Sequence, residues 1–285
     1  MSKTKGQAAA QDGEMEQADA AAQAPAQLPV ESDVIDFGAD VGRGQEGTDR
    51  DSFAIPFLRV LQKGSPQCDE TTSGFMPEAR QGMLYNSVTQ ELYDGKTGLI
   101  FLPCVYQRRF LRWGPRGGEG QGFKGEIMPE AAAMMRETKV VVEVDGRLYF
   151  PMEGGEVNAK KCDRLVDTRN HFGLIYDPDD GLYERVLLSL VSTQIKKSKQ
   201  MMSIVSAVKV NGKTPPTWYN KIRITSVPES NDQGSWFGYR FANEGGITSQ
   251  EVYGAAREFY AAVIAGDIEV KIDDAQEDVV GEGKF

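Results

Sequence analysis

At 285 residues with a formal charge of −10, the chain has room for one large or two small domains but is too acidic overall for a uniform nucleic-acid coat. Its three cysteines, Cys68, Cys104 and Cys162, lie too far apart for a disulfide framework or a metal-ligand set, which fits a reducing cytosol. No apolar run approaches the roughly 18 residues a membrane-spanning helix needs, and the N-terminus lacks the apolar stretch of a signal peptide; a soluble, cytoplasmic protein without a membrane partner is expected.

In chain order, residues 1–50 hold ten acids against four bases and few large apolar side chains, so they are expected to stay disordered. Order is expected over 51–266. It begins with SFAIPFLRVLQ, read as a short helix after Pro56. GMLYNSVT and LIFLPCVYQRRFLRW read as strands separated by the turn YDGKTG, and GPRGGEGQGFKGE as a mobile loop. TKVVVEVDGRLYF has a β-branched run, Asp145-Gly146 and then alternating apolars, the signature of a hairpin. HFGLIYDPDDGLYERVLLSLVS reads as a second hairpin about residues 177–181.

A helix follows, with Ser192 or Thr193 as its cap and Met201, Ile204, Val205 and Val208 on one face. Pro215 and Pro216 end it, and strands follow at Tyr219–Val227 and Ser235–Ala242. A helix over Ser249–Ile264 closes the order, with Gly266 as C-cap; residues 267–285 read as a flexible acidic tail of seven acids and two lysines. The fold class is therefore mainly β with α: an OB-like β-barrel core elaborated by hairpins, one internal basic helix and a C-terminal helix. A two-sheet sandwich with a helical edge fits the same order.

Two patches break the acidic pattern. Leu187–Val227 contains Lys196, Lys197, Lys199, Lys209, Lys213, Lys221 and Arg223 and no acid at all, with Trp218 and Tyr219 among them. Concentrated positive charge on an acidic chain points to a polyanion; the plainer alternative is a solvated helix face. VYQRRFLRWGPRGG carries Arg108, Arg109, Arg112 and Arg116 between Tyr106, Phe110 and Trp113, with Lys124 downstream. Strand alternation gives each face both a cation and an apolar side chain, which suits stacked bases and paired phosphates. The competing reading makes Phe110 and Trp113 core with arginines at an edge.

The glycines from Gly114 to Gly125 lack the Gly-Lys-Ser/Thr ending of a phosphate loop. His171, the single histidine, lies near Asp163, Asp167, Arg169 and Asn170, but no nucleophile motif accompanies it. No cofactor, metal site or enzymatic activity is expected.

The segments AIPFLRVLQKGSPQ, PCVYQRRFLRWGPRGG, LVDTRNHF and LSLVSTQIKKSKQMMS resemble those of single-stranded-DNA-binding proteins of tailed bacteriophages, over roughly residues 52–242. The order of a basic core and an acidic tail ending in an aromatic residue also resembles that group. The resemblance implies non-sequence-specific single-stranded DNA binding in replication, recombination or repair, with replication or recombination partners docking at Phe285. The terminal GEGKF, with Lys284, is less acidic than such tails.

Overall fold

The computed structural model describes residues 43–44, 46–47, 54–115, 117, 120–232, 234–268 and 270. The chain divides into units 1–47 and 48–285. Of the first, the described part is a turn in which the Gly44 N–H donates to the Glu46 carboxylate at 2.8 Å. The rest concerns the second unit.

The second unit is mainly β with helices, as the sequence predicts. Two long strands form its spine: β4 (Leu99–Trp113) and β8 (Arg164–Tyr176) run antiparallel from Ile100↔Tyr176 to Trp113↔Arg164, with one irregularity between Pro103 and Val105. β8 continues through the turn predicted at residues 177–181 into β9 (Tyr183–Val191). On the other side of β4, two strands share the edge. β10 (Asn220–Asn231) pairs with Leu99–Phe101, and β5 (Phe123–Ile127) pairs with Phe110–Trp113. Among the described residues, no strand pairs with the outer edge of β4 between these two stretches.

β11 (Gly234–Gly246) completes a long hairpin with β10. The predicted Asp145-Gly146 hairpin is β6 (Val142–Val144) and β7 (Arg147–Tyr149). Both turn residues have positive φ, 50° and 73°, as a two-residue turn of matching twist requires.

The apolar run LIFLPCV is continuous because both faces of the sheet are covered there. One face carries Leu99, Phe101, Ile175, Leu188, Leu190, Ile222 and Ile224, packed under Met201 and Val205 of α2 (Ile195–Ala207). The other carries Ile100, Leu102, Phe172, Leu174 and Leu187, packed under Val252, Ala256, Phe259 and Val263 of α3 (Gln250–Ala265). Both ends of α3 match expectation: the Ser249 side chain accepts from the Val252 N–H, and Gly266 takes the left-handed conformation at φ 80°.

The structure corrects several expectations. From Ala54, where its described residues begin, SFAIPFLRVLQ is not helical: Leu58–Val60 is β1, paired with β2 (Leu84–Asn86), which pairs in turn with β3 (Leu92–Tyr93). Tertiary pairing overrides local periodicity here, since the Pro56 carbonyl accepts from the Leu187 N–H at 2.8 Å. The loop expected through GQGFKGE holds β5, and a helix not foreseen, α1 (Pro129–Glu137), starts with proline at its first turn. Neither Ser192 nor Thr193 caps α2; Ser192–Gln194 form a 3-10 turn ahead of it, and no side chain makes the cap bond.

The main sheet is open: β9 and β11 are margins that no strand ladder joins among the described residues, so the barrel expected from the strand order does not close. β1 spans the gap instead. It touches β9 through a single bridge, Phe57↔Leu187. It reaches β11 through Gln62, whose side-chain amide accepts from the Phe237 N–H at 2.8 Å and donates to the Phe237 carbonyl at 2.9 Å. No helix among the described residues is long and apolar enough to cross a membrane.

Candidate nucleic-acid interface

Antiparallel pairing places Tyr106, Arg108, Phe110 and Arg112 of β4 on the same face as His171, Arg169, Asp167 and Leu165 of β8. Carboxylates thread through the cations. Arg108 donates twice to Asp167, at 3.0 and 2.7 Å, and its guanidinium stands 4.9 Å over the Phe110 ring. Arg169 shares the same carboxylate at 3.0 Å. Arg112 at 2.6 Å and Lys124 at 2.6 Å both hold Asp163, with Arg112 also 4.1 Å over Phe150. Four cations therefore divide two carboxylates, and the strip keeps a positive excess. Arg109 points to the opposite face and pairs with Glu126 at 3.4 Å.

The strip ends at Tyr106, which is 37 % exposed on the part of β4 whose outer edge no strand flanks among the described residues. Its hydroxyl accepts from Arg169 at 2.6 Å, and its ring lies 5.1 Å from the imidazole of His171. His171 is 1 % exposed and its Nε2 bonds the Ser198 hydroxyl of α2 at 2.8 Å. Burial, and then the neighbouring Arg169 charge, push its pKa down to about 3, so the ring is neutral. The acids near His171 are engaged by arginines and a lysine, and Ser198 is buried, so these residues form a packing and ion-pair arrangement.

Through Ser198, α2 brings the first basic patch beside the second. Lys196 and Lys199 are exposed and have no carboxylate partner among the described residues, whereas Lys197 pairs with Glu229 at 2.6 Å. The segment after α2 carries exposed Lys209 and Lys213, the former hydrogen-bonded to the Thr214 hydroxyl. It returns to β4 where Thr217 donates to the Cys104 carbonyl at 3.1 Å, two residues before Tyr106.

Other predicted residues stand elsewhere. Trp113 is fully buried, edge-on to Phe123 at 5.6 Å, so its ring offers no stacking surface; β5 and the Gly114–Gly122 backbone contact wall it in. Phe110 is likewise core. Arg223 is neutralised by Glu244 at 2.5 Å and lies opposite Ile100, six residues along β4 from Tyr106 and so roughly 20 Å away. Lys221 also adds to the positive field that holds the Glu244 carboxyl below its usual range, after Arg223. Tyr219 packs its ring against Gly246, where a Cβ would sit 2.1 Å from Cζ. Trp218 is half-buried beside Tyr253 and Tyr260. Arg116 and Phe285 lie outside the described residues, as do the stretches 1–42 and 271–285 expected to be disordered.

Sequence reasoning missed Arg169. Alternation along LVDTRNHF puts Asp167, Arg169 and His171 on one face and was the available signal.

The model of the Pam3 phage gp34-like protein family matches residues 21–269. No curated protein and no solved structure matches the chain.

Proposed function

The chain belongs to the Pam3 phage gp34-like family, and within this bacteriophage family we propose that it binds single-stranded DNA without sequence preference, in replication, recombination or repair in the host cytoplasm. The observation that carries this reading is Tyr106: a half-exposed ring on the unflanked edge of β4, with Arg108, Arg112, Lys124 and Arg169 on one side and α2 with Lys196 and Lys199 on the other. A base stacks on the ring while the lysines and the strip's surplus charge receive phosphates. Asp163 and Asp167 hold the arginines in register for that contact, and the half-exposed Arg108–Asp167 pair is weak enough to exchange for phosphate. Binding rather than catalysis is the activity, and partner proteins dock through the segment ending at Phe285.

A titration of fluorescent oligo-dT against the matching duplex tests it. Affinity for the single strand exceeds that for duplex. It falls with salt at a log–log slope of roughly −3, about −0.7 for each of four or five phosphates neutralised. Tyr106→Ala weakens binding by about 1–3 kcal/mol with an unchanged melting temperature. A flat salt response, or equal affinity for duplex, overturns the reading and favours an assembly protein instead.

A further inference from the structure

α3 has a second stripe that the core does not use. Tyr253, Arg257, Tyr260 and Ile264 recur at spacings of four, three and four, so they share one face beside the buried row of Val252, Ala256, Phe259 and Val263. Tyr260 is 37 % and Ile264 60 % exposed. Trp218, presented by the 3-10 turn Thr217–Tyr219, lies against this stripe, its ring 4.9 Å from Tyr260 and 6.2 Å from Tyr253. Arg257 is exposed in the same row with no carboxylate partner among the described residues, while Glu251 and Glu258 fall on a different side of the helix. Three aromatic rings and a cation are thus gathered at a surface from which the acids of the same helix are turned away.

The position of this surface identifies its occupant. Thr217, the neighbour of Trp218, is bonded to Cys104 two residues from Tyr106, so the cluster lies round the edge of β4 from Tyr106, on the α3 face of the sheet. The segment leading to it carries Lys209 and Lys213 and no acid. Two aromatic surfaces joined by an acid-free stretch match a chain of flat rings linked by phosphates.

We infer that Trp218, Tyr253 and Tyr260, with Arg257, form a second stacking platform for bases of the same single strand that Tyr106 engages. The inference rests on the proposed single-strand binding and extends its path from β4 to α3. It requires a strand long enough to reach both surfaces.

The test compares wild type, Tyr260→Ala, Tyr260→Phe and Tyr106→Ala against oligo-dT of about 4 and about 16 nucleotides, the range of site sizes for small single-strand-binding folds. Tyr260→Ala loses about five- to 150-fold in affinity for the long oligonucleotide, the worth of one stacked base. It leaves the short one bound as in wild type through Tyr106, and Tyr260→Phe, which keeps the ring, restores long-strand binding. Unchanged long-strand affinity in Tyr260→Ala, equal loss for both lengths, or no rescue by phenylalanine overturns the platform while leaving the Tyr106 reading standing. Absence of single-strand binding by wild type, or indifference to Tyr106→Ala, removes the underlying reading itself.

Discussion

Single side chains decide whether the arginine-rich half of β4 is a surface or an interior. Trp113 has no exposed area, and its indole N–H finds no acceptor among the described residues. Trp113→Ala should therefore cost about 3–5 kcal/mol of stability, read as a shift in the midpoint of chemical denaturation at constant slope. A stable variant with weakened DNA binding would reverse that assignment. The alternation Arg109, Leu111, Trp113 left core and stacking equally open in the sequence because each face mixed cation with apolar. What the sequence hid was the covering: Phe123 of β5 against Trp113, and α1 with Val141 over Phe110. The cations themselves were legible, but their carboxylate partners came from a strand some fifty residues away, beyond any local pattern.

Among the elements, those stabilised by short-range chemistry could be read and those defined by distant pairing could not. The Asp145-Gly146 hairpin, the 177–182 turn and the caps of α3 carry their own signals. β1 has none, since its partners are β2 and the remote Leu187. A close fit between elements is at Gly173 of β8, opposite Pro103 of β4. A Cβ there would sit 2.4 Å from the Leu102 carbonyl oxygen and 2.4 Å from the Phe101 ring. Gly173→Ala must push the two spine strands apart or swing the ring off its rotamer, for about 1–3 kcal/mol. Thermal or chemical unfolding measures it, and a cost below a few tenths would mean that the pair of strands slides freely.

For the molecule as a whole, the buried imidazole makes stability depend on pH in a defined window. His171 has a folded pKa near 3 and an unfolded value near 6.5. Above about pH 6.5 both states are neutral and it contributes no pH dependence. Between there and about pH 3 the unfolded chain takes up a proton that the folded chain refuses, so stability falls with pH by up to about 1.4 kcal/mol per unit from this group. His171→Gln, which can keep a hydrogen bond to Ser198, removes that proton. Subtracting its stability curve from that of wild type should leave a flat line above about pH 6.5 and a slope below it. A difference independent of pH would show that the ring is not the group responsible.

The amide of Gln62 has a further consequence. By giving and taking one hydrogen bond at Phe237, it imitates a strand residue, and Gln194 repeats part of the gesture by accepting from the Tyr239 N–H at 3.4 Å. The outer margin of β11 thus offers no free rung at either position to another chain. An unprotected margin of this length would template growth from copy to copy into fibres. Two glutamines thus close these rungs of an open sheet to edge-to-edge pairing with another copy.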